Sequence, residues 1–268
     1  MTNRLRSLLH VPIADVPIVD VLLFDGPDAV TARGDLARTV ADALVIDISG
    51  GMPHADDSRG RAVADLVRTL VQNARARVFV RVSGVASGRL EADLALVLPS
   101  RPFGVMLADV AGPIDVEELG ARLRVSEAEL GRADGETRII PVLGTPAGVL
   151  SLAGGAAWPL ARIAAMAWEP PLAPEITPAG LPDFAFNGAA RLARNLTALA
   201  AARAGVPAID PLPETVQADD AFRHACLAAR HEGIGGRMVR NAAQAVIADA
   251  AFARENGGQC SENETHVP

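Results

Sequence analysis

Arg81 poses the sharpest chemical question in this sequence. It sits in Val78-Phe79-Val80-Arg81-Val82-Ser83-Gly84, an apolar run that reads as a strand buried on both faces. A buried guanidinium left unpaired is costly, so Arg81 requires an anionic partner, from the protein or from a ligand. Other apolar runs also end in chemistry-bearing residues. Asp25 follows 19–24, Asp47 and Ser49 close 43–48, and Ser83 follows Arg81. Asp109 lies in 104–110, Thr145 follows 138–143, Glu169 follows 163–168, Asp210 ends 207–210, and Arg240 with Asn241 ends the last run. A guanidinium fork holds a carboxylate on two bonds, and carboxylates serve as general bases or hard metal ligands. Arg81, Ser83, Thr145 and Asp210 are therefore candidate substrate-binding residues. Asp47, Asp109 and Glu169 are candidate catalytic residues. The competing use of the same groups is mutual ion pairing, which is the expectation for Arg240.

Composition narrows the chemistry. All 25 Lys+Arg residues are Arg, which excludes a Schiff-base lysine and a P-loop lysine. Tyrosine is absent, so no phenolic acid is available. The histidines, at 10, 54, 224, 231 and 266, form no triad by spacing, and Cys226 and Cys260 show no metal or disulfide pattern. Half of the 268 residues are hydrophobic and the net charge is −7, which favours a globular protein and argues against nucleic acid or an anionic membrane surface as partners. No apolar run reaches the length of a membrane span or has the form of a signal peptide, so the expected location is the cytoplasm.

The elements that must position these residues alternate. Strands are expected at 19–24, 43–48, 78–83, 104–110, 138–143, 163–168, 207–210 and 236–240. Helices follow at 28–41, 56–73, 88–98, 115–123, 147–154, 187–204, 215–231 and 242–254. Eight βα units over about 250 residues predict an α/β fold, a single-domain (β/α)8 TIM barrel, with the active site at the strands' C-terminal ends. No G-x-G-x-x-G follows a strand, which disfavours a doubly wound dinucleotide fold. The barrel is expected to span 19–254. Residues 1–18 then form an N-terminal accessory segment, with 4–12 at the barrel's edge or base, and 255–268 form a disordered tail.

At these strand ends, over about 19–253, the chain resembles the citrate lyase beta subunit / HpcH–HpaI aldolase family. Val80-Arg81-Val82-Ser83-Gly84 is similar to that family's Val-Arg-Val-Asn-Gly, and Gly104-Val105-Met106-Leu107 to its Gly-Val-Met-Leu-Pro-Lys. Val21-Leu22-Leu23-Phe24 with Ala43-Leu44-Val45-Ile46-Asp47 looks like its first two strands without a gap. Pro207-Ala208-Ile209-Asp210, Ala243-Gln244 and Ala250-Ala251-Phe252 also fit. Arg6-Ser7-Leu8-Leu9-His10-Val11-Pro12 is a second match to strand one but needs an insertion before strand two, so the ungapped choice is preferred. The resemblance implies a Mg²⁺-dependent carbon–carbon lyase acting next to a carbonyl, often on a CoA thioester, through a metal-stabilised enolate. It also implies an arginine at the Arg81 position that grips the substrate carboxylate, and a homotrimer.

The departures bear on chemistry. Leu143-Gly144-Thr145-Pro146 stands where the family has a metal-binding Glu in Ile-Glu-Thr-Ala. Trp168-Glu169-Pro170-Pro171-Leu172 stands where it has a metal-binding Asp in Gly-Glu-x-Asp-Leu. Of Asp-Leu-Glu-Asp after strand two only Asp47 remains. Ala108-Asp109 replaces Pro-Lys, and Asn241-Ala242 replaces His-Pro. No cofactor is expected, and Mg²⁺ only through a relocated site in which Glu169 is the fallback ligand. Two function classes stay open. One is a lyase with altered or reduced Mg²⁺-dependent chemistry, using Asp47, Asp109 or Glu169 as a base or a moved metal site. The other is a catalytically inactive homologue that binds an acid or serves as a partner subunit. The ligand is a small carboxylate or a CoA ester in either case. Without a ligand, Arg81 is expected to pair with Asp47 or Asp109.

Overall fold

A computed structural model describes residues 5–12, 38–50, 58–154, 157–170 and 188–253. In chain order the elements are β1 (Ser7–Pro12), β2 (Ala43–Asp47), α1 (Ser58–Asn73), β3 (Arg77–Val82), α2 (Leu90–Val97), β4 (Gly104–Leu107) and α3 (Pro113–Glu129). They continue with β5 (Arg138–Leu143), α4 (Pro146–Ala153), β6 (Met166–Trp168), α5 (Gly188–Ala204), β7 (Ala208–Asp210), α6 (Asp220–His231), β8 (Gly236–Val239) and α7 (Ala242–Ala251). The eight strands pair in sequence order, all parallel, and β1 closes on β8. The fold is the (β/α)8 barrel that the alternation predicts.

The first strand differs from expectation. Residues 5–12 are not an accessory segment: β1 lies inside the barrel, with Leu8 opposite Ala43 and Met238, and Leu9 opposite Leu44 and Val239. Its base is tied down by polar contacts. The Arg6 guanidinium donates to both Asp42 oxygens at 3.0 and 3.1 Å, and Ser7 Oγ donates to Asp249 Oδ1 at 2.6 Å. Gly236 on β8 lets this base close, because a Cβ there would overlap the Leu5 carbonyl oxygen. The expected strand at 19–24, most of the expected helix at 28–41 and the 255–268 segment lie outside the described residues, as does nearly all of the proline-rich sequence 170–182.

Strand alternation separates two cores. Leu8, Ala43, Val45, Phe79, Met106, Ile140, Val142, Ala167, Ile209 and Met238 fill the barrel interior. Leu9, Leu44, Ile46, Val80, Leu107, Leu143, Trp168 and Val239 face the helices. The helices meet them with apolar stripes; Val63, Leu66, Val67 and Leu70 of α1 are fully buried at helical spacing. Extending the inward parity to the strand ends selects the mouth: His10, Asp47, Arg81, Ala108, Gly144, Glu169, Pro211 and Arg240.

Candidate active site at the barrel mouth

Four of those positions form one continuous chain of contacts. Arg81 Nη1 donates to Glu169 Oε2 at 2.7 Å and Nη2 to Glu169 Oε1, so the guanidinium's terminal nitrogens are held by a single carboxylate. Arg81 Nε stands 3.8 Å from Asp47 Oδ2 and is buried without a hydrogen-bond partner. That Asp47 oxygen is 2.9 Å from His10 Nε2. The other Asp47 oxygen accepts from Ser49 N at 2.9 Å and Ser49 Oγ at 2.8 Å. The pairing Asp47↔Arg81 in adjacent strands brings the two side chains to one height.

The charges reinforce one another. Burial alone would raise the Asp47 carboxyl, but the His10 bond, the Arg81 charge and the Ser49 bonds outweigh it and bring its pKa down to about 2. Burial works against the Arg81 cation. The bonds and charge of Glu169, with the charges of Asp47 and Asp109, outweigh that and raise its pKa. Arg81 is thus a fixed cation between two anions at neutral pH.

Asp109 joins from the fourth strand's exit. It is exposed, its φ of 51° lies in the left-handed region, and its Oδ1 points towards Gly144. A Cβ added to Gly144 would stand 3.5 Å from Asp109 Oδ1, 3.5 Å from Glu169 Oε1 and 3.3 Å from Glu169 Cγ. The absent Gly144 side chain is therefore the space into which both carboxylates lean.

The remaining sequence candidates make contacts within the fold. Thr145 caps α4, accepting from Gly148 N at 3.1 Å, and its hydroxyl donates to Val110 O at 3.3 Å. Ser83 is buried; its N–H donates to Asp93 Oδ2 at 2.9 Å, and its Oγ accepts from Arg89 Nε at 3.3 Å. Asp210 does not reach the mouth at all. Its neighbour Ile209 points inward, so Asp210 faces the helix layer, where Arg194 of α5 donates to both its oxygens at 2.9 Å and Trp168 Nε1 donates at 3.0 Å. Arg240 donates to the Pro213 carbonyl at 2.6 Å. The residue that sequence reasoning missed is His10. Its signal was the second match to strand one, which places it at the mouth beside Asp47.

Among the described residues, the position where the family resemblance implies a magnesium-binding Glu is Gly144. Gly144 has no side chain, and Glu169 commits both oxygens to Arg81. Among the described residues no group of three or more His, Cys, Asp or Glu side chains converges for a metal. Pro171 and His54 lie outside the described residues. A groove of about 220 Å³ lies away from the mouth, lined by Leu152, Trp158, Met166, Leu196 and Leu199 on the flank between α4 and α5. Among the described residues no helix is long and apolar enough to cross a membrane.

Comparison with known proteins agrees with this barrel. The profile of the HpcH/HpaI aldolase/citrate lyase family matches residues 31–257. A citrate lyase subunit beta-like protein of Deinococcus radiodurans is 29% identical over 226 residues, covering 81% of this chain and 74% of that protein. A malate synthase of Haloferax volcanii superposes with a TM-score of 0.75 at 16% identity, covering 100% of this chain and 78% of its own. A citrate lyase beta subunit of M. tuberculosis, solved with oxaloacetate and magnesium, gives a TM-score of 0.62 at 17% identity over 93% of this chain and 97% of its own. At these identities the structural likenesses establish the fold.

Proposed function

This chain belongs to the HpcH/HpaI aldolase/citrate lyase family, and from that premise we propose a carbon–carbon lyase of aldol or Claisen type whose Mg²⁺-dependent chemistry is altered or reduced. Its ligand is a small carboxylic acid, or the CoA ester of one, bound at Arg81. The observation that carries the reading is the two-bond grip of Arg81 on Glu169. A guanidinium fork filled by an internal carboxylate has the geometry for an incoming one. Glu169 is then the group that a ligand displaces, and its side chain, 24% exposed, stands at the open end of the site.

The chain's own residues divide the work. Arg81 binds the acid, and its positive charge offsets the negative charge that develops on the acid's carbonyl oxygen. Asp47 and Ser49 hold Arg81 and His10 in place. Magnesium in this family supplies Lewis-acid stabilisation of an enolate. The donor set at Gly144 and Glu169 does not fit it, so no step is assigned to it. The second reading, an inactive acid-binding or partner subunit, is favoured by the same missing donor at Gly144. The homotrimer implied by family resemblance belongs to this proposal; the apolar flank groove, with exposed Leu160 and Leu199 in its lining, supports an interface there.

Calorimetric titration with oxaloacetate tests the site. If Glu169 is an exchangeable occupant, Glu169→Gln removes an internal competitor and tightens acid binding by about tenfold, or about 1.4 kcal/mol. Weaker binding in that variant would show that Glu169 builds the site rather than blocks it. A citryl- and malyl-CoA cleavage assay separates the two readings: turnover supports the lyase, and binding without turnover the inactive homologue.

A further inference from the structure

The groove on the flank between α4 and α5 has no part in the barrel mouth. A cavity of about 150 Å³ lined by aliphatic and aromatic side chains binds benzene, so one of about 220 Å³ admits a ring with a short side chain. Its walls are mostly apolar, with Leu152 from α4, Met166 from β6, and Leu196 and Ala200 from α5. Leu199 and Leu160 of the same lining are exposed, so an apolar occupant removes their surface from water. Two groups in this wall call for an anion. Trp158 Nε1 is buried and has no hydrogen-bond partner, and an indole N–H can only donate. Arg203, exposed in the last turn of α5, is the only charged residue of the lining among the described residues. The helix end does not draw its guanidinium away. Val206 N already meets Ala201 O at 3.0 Å, and Gly205 N meets Ala202 O at 3.1 Å. An apolar slot with one cation, one unspent donor and no anion is complementary to an apolar body that carries one carboxylate.

We propose that this groove is a second ligand site, separate from the mouth, for a monocarboxylic acid whose remainder is one ring or a chain of similar size. The apolar body fills the slot beside Leu196, Ala200 and Met166. The carboxylate meets Arg203, and a turn of the Trp158 ring gives its N–H an acceptor. A dicarboxylate does not suit the site, because the apolar walls would bury a second, unpaired charge. A CoA ester exceeds the volume. The inference does not depend on the acid-binding reading at Arg81. A second copy seated on this flank would cover the same groove. Acid and copy therefore exclude one another, and the acid lowers the assembly state proposed above.

The experiment is calorimetric titration of the full chain with 3-phenylpropanoate, beside tryptophan emission and light scattering. The chain has two tryptophans and no tyrosine, so emission reports Trp158 and Trp168 alone. Wild type is expected to bind the acid with an emission change that Trp158→Phe removes. Arg203→Gln is expected to weaken the acid about fivefold and to leave 3-phenylpropan-1-ol unchanged, since the alcohol carries no charge. Ala200→Phe fills the slot and abolishes binding of both. If that variant fails to fold, Arg203→Gln, an exposed substitution, still decides the question. Saturating oxaloacetate changes the constant by less than about threefold, which separates the groove from the mouth. Acid binding that is undiminished in Arg203→Gln, or that oxaloacetate displaces, overturns the proposal. So does a wild type that binds no acid at about 5 mM, including the case in which light scattering shows a second copy held on the groove.

Discussion

Glu169 fills the space that Gly144 leaves open: its Cγ lies 3.3 Å from where a Gly144 Cβ would stand, and its carboxylate closes on Arg81 from the same side. A carboxylate borne on β5 is absent, and one borne just past β6 takes its room. The two positions compete for one volume and one cation.

That competition is testable by stability. Gly144→Glu places a second carboxylate against Glu169 and Asp109, and should destabilise the fold by about 1–3 kcal/mol through overpacking and like-charge repulsion. Adding Glu169→Ala vacates the volume and offers Arg81 the new carboxylate, so the double variant should recover most of that loss. Chemical denaturation of the three proteins measures it; equal stability of single and double variants contradicts the shared space.

Asp210 and Thr145 should matter for folding and not for ligand. Asp210→Asn weakens two charged bonds from Arg194, which keeps Glu232 as a partner, and should cost about 1–3 kcal/mol. Thr145→Ala removes the α4 cap and should cost about 1 kcal/mol. Neither should change the affinity for an acid measured under conditions where the variant is folded.

Acid should unfold the protein through two named carboxyls. Asp47 is lowered from 3.8 to about 2 by His10, Arg81 and Ser49 against the effect of burial. Glu127 is lowered from 4.5 to about 2, burial again being outweighed, by Arg162 and by the Thr137 and Gly135 N–H groups. A folded-state pKa below the unfolded one gives stability that is present above the unfolded pKa and lost as pH falls through the folded one. Melting temperature should therefore fall between about pH 5 and about pH 2, and Asp47→Asn should flatten part of that slope. An unchanged slope in Asp47→Asn argues against the depressed carboxyl.

The barrel was legible because each buried parallel strand is an apolar run, and 78–83, 104–110 and 138–143 match β3, β4 and β5 closely. Strand one was not, because the match at 6–12 needs an insertion before β2 and the ungapped spacing from 19–24 does not; the polar ties of that segment, Ser7 to Asp249 and His10 to Asp47, form only in three dimensions. The site followed the same logic. Arg81, Asp47 and Glu169 share the interior parity and meet; Asp210 sits one residue off that parity and turns to Arg194. Composition cannot give parity at a strand of three residues such as β7. The pairing of Arg81 was anticipated with Asp47 or Asp109, and Glu169 holds it more closely than either because it reaches across from β6 into the Gly144 space.

The central claim is that the acid is held by Arg81 and not through Mg²⁺. Its most direct test is the calorimetric dissociation constant of oxaloacetate measured with saturating Mg²⁺ and again with EDTA, in wild type and in Glu169→Gln. The account predicts constants that agree within about threefold in each protein, with the variant tighter under both conditions. Affinity in wild type that rises by more than about tenfold with Mg²⁺, and loses that gain in Glu169→Gln, would show a metal held by Glu169 and contradict it.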